Sequence, residues 1–267
     1  MHPVLLRLAV LTFGVLAVSF LPIVVPGRKA DLYSGMTLED LLAIAVQGPF
    51  LAFALWWVFR ALPVQAGSAA QPPHASPRDK PGEGRPFLLD LLLVSSLFLF
   101  FAGFGLHWAA NSAHNTMDHI QGLPKIHNHS GPAPGFGLVY FYDEILGHKM
   151  TYLGFFGLLL AGCWLQLLAD TGVLSRRQTV LLAAVSVAGG VGGAFSALEG
   201  QTPLEGIVLS GAAALGLILL MRRRKEAWAR RPVVFYTVAT SVLIVVMELV
   251  WLARFGGFYQ PSELFAI

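Results

Sequence analysis

The sequence predicts an all-α polytopic membrane protein, a helix bundle of seven transmembrane helices forming one domain over residues 1–267. Three observations carry this expectation. Hydrophobic residues make up 55% of the 267-residue chain and charged residues only 12%, whereas soluble domains carry about 25% charged residues. Mean hydropathy is +0.66. The apolar runs are also long enough to cross about 30 Å of hydrocarbon at 1.5 Å per residue.

In chain order the expected spans are 4–25, 41–62, 87–119, 137–169, 179–198, 203–221 and 233–256. The first starts near Arg7 and has the look of a signal peptide. It is too long for an ordinary apolar signal core and lacks a clear small-x-small cleavage site, so it is expected to remain as a span. The third and fourth runs exceed what a bilayer needs, so they tilt or project beyond it. The fifth carries Gly189, Gly190, Gly192 and Gly193, small surfaces that let helices approach closely. The sixth opens at Pro203, a residue suited to a first helical turn, with Glu205 placed favourably beside that helix N-terminus. The seventh holds Glu248 in apolar surroundings, with Arg254 near its end to reach headgroups or to pair with Glu248. Between spans two and three, residues 63–86 are rich in Pro, Gly, Ala and Ser and read as a flexible linker.

Basic residues orient the bundle. Arg222, Arg223, Arg224, Lys225, Arg230 and Arg231 fall between spans six and seven, and Arg176 and Arg177 between four and five. Arg60, Arg78, Lys80 and Arg85 flank or occupy the 63–86 linker. All of these lie on one side of a seven-span chain, which the positive-inside rule assigns to the cytoplasm. The N-terminus is then cytoplasmic, the C-terminus outside, and a cell inner membrane is the expected location. Arg28, Lys29 and Lys125 lie on the opposite side. The net charge of +3 therefore reflects topology, and no nucleic-acid partner is expected. The single cysteine, Cys163, lies within an apolar run, which excludes an intrachain disulfide and a CxxC metal site.

The functional signal is polarity where hydrocarbon should be. His107, Asn111, His114 and Asp118 recur at i, i+4, i+7 and i+11, one narrow stripe at about 100° per residue. Tyr140, Glu144, His148 and Thr151 form a second stripe, with Asp143 about 100° around the helix from Glu144. Ionisable side chains inside a span cost about 2.5–3.5 kcal/mol each on insertion scales and usually serve function. Under the orientation above, both stripes lie in the outer half of the bundle, together with Gln47, Glu199, Glu205 and Glu248. A polar cavity open to the outside is expected. The outer loop 120–136, preceded by His119, adds His127 and His129 as a lid or metal-accepting segment.

Histidine with carboxylate suits a divalent metal ion, zinc first, with iron or copper as alternatives. His107 and His114 are two turns apart, about 10.5 Å in rise, so one ion does not reach both. The ligand candidates are His107, His114, His148 and Asp118, and Glu144 with His148 can share one ion across one turn. Glu144 or Asp143 is the expected general base, and Tyr140 the donor to a developing oxyanion. Asn111, Glu199, Glu248 and Gln47 would support the ligands or line the cavity. The expected function is metal-dependent hydrolysis of a lipid or lipid-like substrate, with membrane lipids and a lipid-like or small-molecule substrate as partners. The alternatives are a proton or metal-cation transporter or channel using the same cavity, and a metal-dependent membrane oxidoreductase. HExxH, GxSxG and P-loop motifs are absent.

Overall fold

The computed structural model describes residues 2–25, 31–33, 36–60, 62, 87–121, 136–168, 171–261 and 264; the side chains at 19–24, 31–33, 39, 114–121, 136 and 144 lie outside that description. The linker 63–86 and the loop histidines His127 and His129 also lie outside the described residues.

Helices dominate. α1 runs over Pro3–Val24, and a short antiparallel pair, β1 (Asp31–Tyr33) and β2 (Met36–Thr37), leads into α2 (Leu38–Leu42). A π-helical turn at Ala43–Gln47 joins α2 to α3 (Gly48–Phe59). α4 spans Phe87–Gln121; α5 (Phe136–Tyr140) passes through a second π-helical segment, Phe141–Gly147, into α6 (His148–Leu168). α7 (Arg176–Glu199), α8 (Pro203–Arg224) and α9 (Pro232–Phe255) complete the bundle.

The ends follow local chemistry. Ser175 and Gln178 form a reciprocal capping box at the start of α7, each side chain bonding the other's backbone N–H. Gly256 takes a left-handed φ of 73° and stops α9. Gln166, fully buried in α6, accepts from the backbone N–H of Val233 at 2.7 Å and of Val234 at 3.0 Å. It thereby satisfies donors that the first turn of α9 leaves without helical partners.

Six helical segments among the described residues are long and apolar enough to cross a membrane, namely Asp40–Phe59, Phe87–Ala113, Gly137–Leu168, Arg176–Glu199, Pro203–Arg224 and Pro232–Phe255. Pro3–Val18 is a shorter apolar helix. The outward surface matches, since Phe87, Leu88, Val94 and Phe98 on α4 and Leu204, Val208 and Leu215 on α8 are all exposed. Apolar surface on this scale is not left in water. The chain is an integral membrane helix bundle.

α9 packs against α7, α8, α6 and α1, while α4 lies along α6, and α1 along α3 and α7. Small residues set the closest approaches. A Cβ at Gly154 of α6 would overlap the backbone of Phe100 on α4. The glycines of α7 behave as their composition predicts, Gly189 lying against Tyr236, Gly190 against Leu243, Gly192 against Leu16 and Gly193 against Ile244. Cys163 is buried, with its Sγ 3.2 Å from Thr237 Oγ1.

Basic groups collect at one end. Arg7 donates to Trp57 O at 2.6 Å and lies over the Trp57 ring, Arg60 lies over Trp56, and Arg231 donates to Gln166 O. Glu226 and Arg231 pair beside them at 2.5 Å. The Arg231 guanidinium, with Arg224 behind it, holds the Glu226 carboxyl below its ordinary range.

Candidate functional site

The opposite end of the bundle gathers the polar side chains. His107 stands on the α4 face that crosses the π-helical segment Phe141–Gly147. The backbones touch there, because a Cβ at Gly147 would come within 2.9 Å of His107 N, Cα and Cβ. This contact brings His107 Nδ1 to 2.7 Å from Asp143 Oδ1, and Asp143 is 0% exposed. The ring of His148 lies against that of His107, with centroids 4.2 Å apart. A Cβ at Gly200, just past α7, would come 2.6 Å from His148 Nδ1, so the end of α7 walls the pair on its far side.

One turn beyond His107, Asn111 Nδ2 donates to Asp40 Oδ1 at 2.6 Å. Asp40 is 1% exposed, and its other oxygen accepts from both the N–H and the hydroxyl of Thr37 at 2.8 Å. Across the bundle, Gln201 Nε2 lies 2.8 Å from Tyr140 Oη. Gln201 holds a left-handed φ of 51° in the turn between α7 and α8, a conformation that costs a non-glycine residue about 1–2 kcal/mol. Lys149 pairs with Glu205 at 2.5 Å. Gln260, after α9, donates to Glu199 O at 2.7 Å. Glu248 on α9 is 0% exposed, and among the described residues neither of its oxygens has a hydrogen-bond partner.

These contacts rearrange the sequence-based expectation in particular ways. Asn111 pairs with Asp40, while His107 and His148 are brought together and Asp143 lies beside His107. The π-helical segment explains this. Its hydrogen bonds run i to i+5, so Asp143 and His148, five residues apart, come nearer to one face than α-helical spacing allows. Glu205 pairs with a side chain and not only with its helix N-terminus. Arg254 does not reach Glu248; it lies 5.8 Å from the centroid of Phe255. Gln47 is half-buried in the first π-helical turn. His114, Asp118, His119 and Glu144 stand on helices, but their side chains lie outside the described residues. Asp40 does not stand out as intramembrane polarity, since it sits at the very start of its span. Its signal was the Thr37-x-x-Asp40 pattern immediately before an apolar run, a capping-box signature.

Among the described residues, no three His, Cys, Asp or Glu side chains converge as ion ligands. The nitrogens placed to hold one are those of His107 and His148. His107 Nδ1 lies 2.7 Å from Asp143 Oδ1 and 3.3 Å from the Asp143 carbonyl oxygen, contacts that orient the ring as a carboxylate orients a metal-binding histidine. A separate groove between α6 and α8, lined by Leu160, Cys163, Trp164, Leu167, Leu217 and Arg224, lies in the other half of the bundle. The chain matches no protein-family model, no curated protein and no solved structure.

Proposed function

We propose that the chain is a metal-dependent membrane enzyme acting on a lipid-like substrate at the polar end of the bundle. The observation that carries this reading is the pairing of His107 Nδ1 with the buried carboxylate of Asp143, beside the ring of His148. Carboxylates in that position fix the tautomer of a metal-binding histidine and raise the basicity of its other nitrogen. His107 and His148 would supply the nitrogen ligands, and Asp143 would orient His107. Zinc suits this donor set and, when bound, lowers the pKa of a bound water toward about 7 for attack on an ester, amide or phosphoester. Iron or copper at the same histidines would favour the oxidoreductase alternative.

The same reading takes α1 as a seventh span, since its 22 residues rise about 33 Å. The basic end, with Arg7, Arg60, Arg176 and Arg231, is then cytoplasmic and the His107 end faces outward from an inner membrane. The test is elemental analysis of detergent-purified protein loaded with zinc and then dialysed, beside His107→Ala and His148→Ala. The expected result is near-stoichiometric zinc that falls in both variants. Wild-type protein that stays folded and retains no metal overturns the reading.

A second reading, transport of a proton or cation, draws support from the polar pairs Asp40–Asn111, His107–Asp143 and Lys149–Glu205 clustered at one end. Ion flux into proteoliposomes, lost in Asn111→Leu while zinc content is unchanged, would favour it over the enzyme.

A further inference from the structure

Beneath the histidine pair lies a second group of polar atoms that the proposed enzyme does not use. Tyr152 follows His148 by one turn on α6, and its hydroxyl is close to Ser210 of α8 and within electrostatic range of Glu248 on α9. The Tyr152 and Ser210 hydroxyls are shielded from solvent, and so are both Glu248 oxygens, which have no hydrogen-bond partner among the described residues. Ser210 and Glu248 are each 0% exposed. The carboxylate rests directly on α8, because a Cβ at Gly206 would come 2.8 Å from Glu248 Oε2 and closer still to Oε1. Gly206 and Ser210 lie one turn apart on that same α8 face.

Buried polar groups are nearly always satisfied, so an orphaned carboxylate on α9 near buried hydroxyls of α6 and α8 points to a bound occupant. A buried carboxylate without a positive charge is the costliest orphan of all. Among the described residues, no lysine or arginine pairs with Glu248. Lys149 on α6 is committed to Glu205 of α8. Arg254, on α9 itself, stacks on Phe255. On α7 the only ionisable groups are Glu199 at this end and Arg176 and Arg177 at the other, and the only one on α1, Arg7, is bound to Trp57 O at the basic end. A carboxylate with two hydroxyls is a set of hard oxygen donors, the kind that takes a proton or a hard cation in place of a soft metal.

We propose that Glu248, Ser210 and Tyr152 form an oxygen-lined site between α6, α8 and α9 for one singly charged cation, a proton on the carboxyl or a sodium ion in its place. The site is separate from the His107–His148 centre and stands whether or not that centre binds metal.

Infrared difference spectroscopy on the full chain in detergent reads the carboxyl directly. In sodium-free buffer at neutral pH, the expected result is a protonated-carboxyl carbonyl band that is missing from Glu248→Gln. Loss of that band on adding sodium chloride but not choline chloride assigns sodium as the ion. Loss only on raising the pH, with no response to sodium, assigns the proton. A wild-type spectrum without the band, or a band that neither treatment moves, overturns the proposal. Ser210→Ala and Tyr152→Phe leave Glu248 in place and are expected to shift the band frequency. An unmoved band in both variants overturns the shared site even if Glu248→Gln fails to fold.

Discussion

His107 Nδ1 lies 2.7 Å from Asp143 Oδ1, and the two residues belong to helices that touch through the glycine four residues after Asp143. Side chain and backbone thus fix the same imidazole from the same neighbouring segment. Asp143→Asn keeps the shape but removes the negative charge 2.7 Å from Nδ1. Under the metal reading, zinc affinity is expected to fall about 10–100-fold, the usual loss when such a partner is removed. Competition against a chelator measures it, and an unchanged affinity would sink the orienting role of Asp143.

Gly147 makes a separate prediction. An alanine there must push against His107 N, Cα and Cβ at 2.9 Å, and backbone cannot rotate away as a side chain can. Gly147→Ala is expected to cost about 1–3 kcal/mol by overpacking and to weaken any ion bound at His107. Gly105 is the matched control on α4, since nothing lies within 4 Å of a Cβ built there. Gly105→Ala is expected to stabilise by up to about 1 kcal/mol through helix propensity. Thermal melts in one detergent compare the two; equal shifts would refute the close-contact argument.

The periodic stripes named His107 and Asn111 on α4 and His148 on α6, and the His107 and His148 rings lie together in the structure. Asp143 was legible as a candidate base but not as the partner of His107, for a definable reason. The π-helical segment Phe141–Gly147 changes the angle per residue, and no residue type in it announces that change. Long apolar runs made the membrane class legible, and the glycines of α7 announced close packing. Gln166 was not legible, since a glutamine near the end of an apolar run gives no sign that it caps a different helix, as it does for Val233 and Val234. The buried hydroxyls of Tyr152 and Ser210 were also hidden, because serine and tyrosine occur in spans as ordinary packing residues.

Gln166 therefore carries a stability prediction. Its Oε1 serves two buried backbone donors at the start of α9. Gln166→Leu leaves both without acceptors in a site too apolar for easy hydration, and each such orphan costs about 1–3 kcal/mol. Gln166→Glu keeps an acceptor oxygen and should lose less. Unfolding in a denaturing detergent titration ranks the three proteins; a leucine variant as stable as wild type would refute the capping role.

The Glu226–Arg231 pair at the basic end sets an acid limit. Arg231 holds the Glu226 carboxyl below its ordinary range of about 4.3. Because the folded value is the lower one, the pair's contribution is complete above the ordinary range. It is lost as pH falls through the folded value. Glu226→Gln is expected to lower stability at pH near 7 by about 1 kcal/mol, the upper range for a partly exposed ion pair. On acidification wild type should lose that advantage and converge on the variant, and high salt should narrow the gap at neutral pH. Melting temperatures of both proteins across this range test it. A gap that stays constant from neutral to acid pH would show that Glu226 contributes through shape and not through charge.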